Sequence, residues 1–248
     1  MLTVNPGVII NPGVTLTAPK ILPPVSAGLQ LYLDAGNVSS YPGSGTTWTD
    51  LINSKEFTLY NGTSYSSNNG GYIEFDPASE QYAEATSLAT GLANWTVEAW
   101  HYYAGTNNNT TDGGNSACIV TEIFAGSPIN FTLGNCTDSF PNLQVGHWDG
   151  SSFYPTPPGH VLTAGHWYHL VGTFDGTAHR LYINGAQVAS TETTAPAYSS
   201  GVGIRLMRRW DARNYWGGRL SIVRIYDASI GDVGVLQNYK ADRERFGL

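Results

Sequence analysis

The sequence predicts an all-β protein: a two-sheet antiparallel sandwich with an extended N-terminal arm and a short C-terminal helix. Three observations carry this. Residues 164 to 188, AGHWYHLVGTFDGTAHRLYINGAQV, hold strand-like runs punctuated by a DG turn and an NG turn. Aromatic and β-branched runs recur along much of the chain at intervals of about 8 to 12 residues, the spacing of a sandwich. The 248 residues include 29 Gly and 13 Pro with only 12% charged side chains, the profile of a turn-rich packed chain and not of a disordered one. The length fits one large β sandwich, or one domain with an appended arm.

The elements follow in order. Residues 1 to 27 are nearly uncharged, with Lys20 alone, and repeat Asn5-Pro-Gly-Val8 as Asn11-Pro-Gly-Val14. Each NPG is a turn, and the pieces between are short and extended. Two copies cannot bury a core, and Pro23-Pro24 makes a stiff linker. The reading is an arm, residues 1–27, that lies on another subunit or another protein through Val4, Val8, Ile9, Ile10, Val14 and Leu16. A first strand added to the sandwich, or a tail without structure, is the alternative. The domain then spans residues 28–248. It opens at Leu29 to Asp34 with Leu29, Leu31 and Leu33 on one face. Further strands are expected at Phe57 to Tyr60, Tyr72 to Phe75, Gln81 to Ala85, Trp95 to Tyr103, Cys118 to Phe124 and Leu143 to His147, with a polar loop at Thr106 to Asn115. Trp167 to Phe174 is half-buried strand by composition. His179 to Ile183 and Ala186 to Ala189 flank Asn184-Gly185, whose two residues tolerate the positive φ of a type I′ hairpin turn. A helix closes the chain, with Ser229 as N-cap, Asp232 three residues on, and Val233, Leu236 and Tyr239 on one face.

Three of these segments resemble one family. W-x-H-L-V-x-T-x-D-G followed by L-Y-I-N-G in residues 167 to 185, NWTVEAWHYY at 94 to 103, and GGRLSIVRIYDASI at 217 to 230 are similar to the ordered motifs of the concanavalin A-like, or laminin-G-like, jelly-roll family. The likeness covers roughly Leu29 to Leu248. It implies a two-sheet jelly roll and leaves function open, since this fold hosts lectins, glycanases, adhesion modules and viral coat proteins. LDAGNVSSYPGSGTTWTDL near the start and VLQNYKADRERFGL at the end resemble a subgroup found in bacteriophage and other viral structural proteins.

Charge and motifs exclude several classes. The net charge of -7 argues against general nucleic-acid binding. No apolar run approaches the ~18 residues of a membrane span. The start lacks a basic stretch followed by an apolar core, so no secretory signal is expected, though a mature form with its signal removed stays open. Cys118 and Cys136 fall in strand-like segments, so a cross-link and two free thiols are both open. Two cysteines alone do not make a zinc site. No cofactor is expected. Family resemblance allows a structural calcium at the sandwich rim, with Asp34, Asp76, Asp112 and Asp149 on loops, but no EF-hand-like cluster assigns ligands.

Catalysis is not expected. Glycanases of this fold use E-x-D-x-E or E-x-D-x-x-E. Here Glu74, Asp76 and Glu80 stand as E-x-D-x-x-x-E, and Pro77 breaks the ladder. G-x-S-x-G, H-E-x-x-H and P-loop motifs are all missing from the sequence. All nine arginines lie between Arg180 and Arg245, which reads either as solvated charge or as a contact surface. The densest stretch is Ile204 to Trp216, with four Arg, two Trp and a Tyr. Aromatic faces stack on sugar rings, and Arg and Asp bond hydroxyls or carboxylates. The candidate ligand residues are therefore Arg208, Arg209, Trp210, Asp211, Arg213 and Tyr215, while Trp216 reads as core.

The expected function is a non-enzymatic virion structural protein, a capsid decoration or fibre component displaying a lectin-like jelly roll toward host-surface glycans. A secreted or cell-surface carbohydrate-binding module is the alternative, and a glycanase the second alternative. The expected partners are a capsid or other virion protein and further copies of the chain, as a trimer by analogy with viral fibres.

Overall fold

A computed structural model of the protein describes residues 22–86, 92–108, 116–123, 128–135, 142–193 and 203–248. The arm residues Val4, Val8, Ile9, Ile10, Val14 and Leu16, together with Asp112 and Cys136, lie outside the described residues. In chain order the strands are β1 (Leu29–Asp34), β2 (Thr47–Thr49), β3 (Glu56–Tyr60), β4 (Ser64–Ser66), β5 (Tyr72–Phe75), β6 (Tyr82–Thr86), β7 (Trp95–Asn108) and β8 (Ala117–Glu122). They continue as β9 (Ile129–Asn135), β10 (Gln144–Trp148), β11 (Phe153–Pro155), β12 (His166–Phe174), β13 (Ala178–Ile183), β14 (Ala186–Glu192), β15 (Gly203–Leu206) and β16 (Tyr215–Tyr226). One α-helix, α1 (Gly231–Asp242), follows.

The strands form two antiparallel sheets. The first runs β14-β13-β12-β7-β16-β5-β4, with β1 also paired to β16; the second runs β11-β10-β9-β8-β15-β6-β3-β2. Between them lies a core that includes Leu33, Trp48, Phe57, Phe75, Trp95, Val97, Phe131, Leu133, Leu170, Phe174 and Trp216, each 0 or 1% exposed. The period-2 alternation that suggested strands decides which residues enter it. In β6, YAEAT, Ala83 and Ala85 point inward, which leaves Tyr82 and Glu84 outside. In β3, Phe57 and Leu59 point inward, which leaves Thr58 and Tyr60 outside. Asn184 and Gly185 take φ of 52° and 79° at the β13–β14 turn, as the hairpin signal required.

Two local expectations change. β7 continues to Asn108, so part of the expected polar loop is strand. The helix begins one residue later than expected, after Ile230, with no side-chain cap. Of its expected apolar face only Tyr239 packs, stacked on Trp100: Val233 is 81% and Leu236 39% exposed, while Gly234, Val235 and Asn238 are buried. The reason is the surface on which the helix sits. The outer face of the first sheet carries Glu98, His169 and Arg224, all fully buried, and these call for polar partners. Asn238 Nδ2 donates to Glu98 Oε2 at 2.6 Å, and Arg224 Nη1 lies 2.8 Å from Asp242 Oδ2 and 2.6 Å from Glu98 Oε1. Burial alone would raise the Glu98 carboxyl; Arg224 and His169 outweigh it and hold Glu98 at about 2.

Candidate functional site

The stretch 204–216 divides into three parts. Ile204 and Leu206 of β15 are core residues, and Arg205 between them faces out from the second sheet. Its register partner is Glu84, and its Nε and Nη2 both donate to Glu84 Oε2, at 2.9 and 2.8 Å. Trp216 returns to the core with no exposure, as the sequence suggested. Between them residues 208 to 215 form a loop closed by an Arg208–Tyr215 bridge, where the chain passes from β15 of the second sheet to β16 of the first.

This loop is held in an unusual conformation. Met207, Ala212 and Asn214 have φ of 60°, 66° and 33°, left-handed values that cost a non-glycine residue of order 1–3 kcal/mol when the surroundings impose them. The surroundings do impose them. Buried Asn214 donates its Nδ2 to Ser116 O at 2.9 Å, Arg209 N donates to Asn214 O at 2.9 Å, and Arg205 Nη1 donates to Trp210 O at 3.0 Å. Strain kept by so many fixed bonds is the pattern of a positioned surface.

The loop presents two clusters. In the first, Tyr60 and Tyr82 are register partners on neighbouring strands and stack at 4.5 Å with an interplanar angle of 6°. The guanidinium of Arg208 lies over Tyr82 at 4.3 Å and over Tyr215 at 5.0 Å, with Nη2 donating to Ala212 O. The Tyr215 hydroxyl donates to Glu80 Oε2 at 3.3 Å. Burial raises the Tyr82 and Tyr215 hydroxyls above the usual phenol value, so both stay neutral near pH 7. In the second cluster Trp210 stacks on Trp148 with ring centroids 6.5 Å apart. Asp211 sits between two arginines, 3.5 Å from Arg209 Nε and 3.0 Å from Arg213 Nε. All six candidate residues therefore belong to one loop, and the fold brings them to Tyr60, Tyr82, Glu84 and Trp148, which the sequence did not single out, and to Arg205 and Glu80, which it did not place among the ligand residues. Alternation within FTLY and YAEA does place Tyr60 and Tyr82 on the outer face. That they are neighbours depends on β3–β6 pairing, which short-range patterns do not encode.

The remaining expectations resolve differently. Glu74 faces out from the first sheet, paired with Arg219 Nε at 3.0 Å, while Glu80 belongs to the Tyr215 cluster of the loop. Asp76 caps its own turn, accepting from Ala78 N and Ser79 Oγ. Asp34 pairs with Arg245 and accepts from Gly36 N; Asp149 accepts from Ser151 N, Ser152 N and the Tyr154 hydroxyl. Among the described residues no group of three His, Cys, Asp or Glu side chains could hold a metal ion. Cys118 is a buried free thiol that accepts from the Thr132 hydroxyl, and burial raises its pKa.

Aromatic faces beside a fixed guanidinium, on the outer face of a jelly roll, make a surface suited to a small polar ligand with one apolar side. A family model described as the concanavalin A-like lectin/glucanases superfamily matches residues 76–232, and the chain belongs to this superfamily. No curated protein matches it in sequence. Among solved structures it is similar to domain 4 of AbnA, an extracellular GH43 arabinanase from Geobacillus stearothermophilus, solved with arabinotriose: 16% identity, TM-score 0.64, covering 86% of this chain and 98% of that one. It is also similar to the botulinum neurotoxin type G receptor binding domain, at 13% identity and TM-score 0.61, covering 86% of this chain and 51% of that one. A third likeness is to Trypanosoma rangeli sialidase in complex with the inhibitor DANA, at 12% identity and TM-score 0.59, covering 87% of this chain and 33% of that one. The chain thus spans about half of the toxin domain and a third of the sialidase. At these identities the likeness is one of fold.

Proposed function

We propose that the chain is a non-enzymatic carbohydrate-binding jelly roll, displayed on a virion as a decoration or fibre component. The observation that carries the binding reading is the Tyr60–Tyr82 stack with Arg208 fixed across it. With Tyr82 held between Tyr60 and Arg208, the stack gives a sugar the ring edges and the far face of Tyr60 to cover, and Arg208 and Glu80 beside it bond hydroxyls. Domain 4 of AbnA, which has this fold, was solved with arabinotriose, which supports a saccharide as the ligand class. A glycan array of the full chain tests it. Specific binding should weaken about tenfold or more in Tyr82→Ala and in Trp210→Ala, with melting temperature nearly unchanged. Silence across the array would overturn the reading.

The display role rests on the sequence: the NPGV repeats of the arm and the two ends that resemble viral structural proteins. In this reading the arm docks on a capsid protein and on sister copies, as a trimer, and the location is the virion. Secretion as a free carbohydrate-binding module would use the same binding loop and differ only in the arm's partner. The non-enzymatic part of the proposal is supported by Glu74 and Glu80 serving different clusters, Arg219 and Tyr215. Hydrolysis of a glycan that Glu74→Gln abolishes would overturn it.

A further inference from the structure

We propose that the binding loop is built for an acidic saccharide, with the sugar's carboxylate seated on Arg208. The inference rests on the carbohydrate-binding reading and narrows it. Its basis is the contrast between Arg208 and the arginines around it. Arg205 is matched by Glu84, and Arg209 and Arg213 by Asp211; across the fold Arg219 has Glu74, Arg224 has Glu98 and Asp242, and Arg245 has Asp34. Arg208 has no carboxylate within 4.0 Å among the described residues. Its one hydrogen bond there is to a neutral acceptor, Ala212 O, and its Nε is buried with no partner.

A cation in this state is costly. Two tyrosine rings strip part of its water, and a charge removed from water without a counter-charge destabilises the fold. The rings return some of this through their faces, but Arg208 keeps a full positive charge in a fixed place. Each other arginine of the loop region has a carboxylate within 4.0 Å, with Arg209 and Arg213 sharing Asp211, and Arg243 on the helix side is exposed to water, so Arg208 is the half-buried cation that an added anionic group would complement. Carboxylate is the anion that fits best, because a planar guanidinium meets a planar carboxylate with two parallel N–H···O bonds. The ligand must also carry apolar C–H surface beside its carboxylate, since Tyr82, held between Tyr60 and Arg208, and Tyr215 border the cation with aromatic rims. A uronic or sialic acid residue has both features on one ring. The chain's net charge of -7 makes the site more selective, because an acidic polymer without a ring that fits the tyrosines gains nothing elsewhere on the surface.

The test is titration of the full-length chain, by calorimetry, with matched oligosaccharides: galacturonate oligomers against galactose oligomers, sialyllactose against lactose, and a sulfated galactan. The expected result is that one of the carboxylate sugars binds at least about tenfold more tightly than its neutral counterpart, a gap that high salt narrows. Arg208→Gln should erase the gap and keep the weak neutral binding. Arg208→Lys, which keeps the charge but loses the fork, should recover only part of it. Melting curves of both variants confirm that they fold. Equal binding of acidic and neutral sugars, an unchanged gap in Arg208→Gln, or a clear preference for the sulfated galactan would overturn the inference while leaving the carbohydrate reading standing. Binding of no saccharide at all would overturn both.

Discussion

At the residue scale, the histidines show how burial sets a group's chemistry. His101 is inside the sandwich. Trp216 Nε1 donates to its Nε2 at 3.0 Å, so the proton sits on Nδ1, which donates to Arg219 O at 3.1 Å. Both ring nitrogens are satisfied by the neutral ring, and burial pushes its pKa down to about 3. His147 Nδ1 and His179 Nε2 face each other at 3.2 Å across the core, so only one carries a proton. Burial, and for His179 also His147, lowers them to about 4 and about 3. In the unfolded chain all three would titrate near ~6.5. Protons therefore bind the unfolded state first as pH falls, and stability drops by about 1.4 kcal/mol per pH unit for each histidine between ~6.5 and its folded value. Above ~6.5 they contribute no slope. Urea midpoints should fall steadily from about pH 6.5 to about pH 4.5, and His179→Gln should flatten that fall. A fall as steep in the variant as in the parent would contradict the assignment. The sequence showed six scattered histidines and gave no sign that two of them meet, because 32 positions separate His147 from His179. The candidate loop was legible for the opposite reason: its arginines and aromatics are consecutive in the chain.

At the element scale, helix α1 was legible in extent and not in orientation. The periodicity of Val233, Leu236 and Tyr239 is real, but the sheet below offers buried charges beside its apolar side chains. Asn238 and Asp242 meet the charges, Val235 packs with Val171 and Tyr182, and Tyr239 stacks on Trp100. Arg224 joins three elements: Glu98 on β7, Asp242 on α1 and, through its guanidinium 4.7 Å from the ring, Tyr32 on β1. Removing one member of such a group leaves buried charge uncompensated. Arg224→Met should cost about 3–5 kcal/mol, and Glu98→Leu added to it should restore part of that loss. Equilibrium urea unfolding measures both, and strict additivity of the two changes would mean that the pair is not coupled. Below the unfolded carboxylate value of ~4.3 the parent should lose further stability as Glu98, held at about 2 in the fold, is increasingly left to protonate in the unfolded chain.

At the scale of the whole molecule, the two sheets face different tasks. The fold class, the order of most strands and the hairpins were legible because period-2 patterning and turn residues are local signals. Which sheet carries the C-terminal helix was not, since that depends on long-range bonds such as those between residues 23 to 25 and α1. Val25 N donates to Asn238 Oδ1 at 2.7 Å, the Tyr226 hydroxyl donates to Val25 O at 3.2 Å, and Gln237 Nε2 donates to Pro23 O at 2.7 Å. The N-terminal segment therefore joins the domain on the outer face of the first sheet, while Tyr60, Tyr82 and Arg205 lie on the outer face of the second. Under the proposed display role, the segment leading to the arm lies on one outer face and the proposed binding loop on the other. Residues 23 to 25, inside the expected arm of residues 1–27, are hydrogen-bonded to the helix and to Tyr226. Two truncations separate the roles. Loss of residues 1–21 should abolish attachment to the particle and leave the melting temperature unchanged. Loss of residues 1–27 should abolish attachment and also destabilise the domain by about 1–3 kcal/mol, because Asn238 Oδ1 is left buried without its donor. Co-sedimentation with particles and calorimetric melting read the two effects independently. Attachment that survives both truncations would remove the arm from the mechanism, and equal stability of the two would mean that the clamp at Val25 holds nothing.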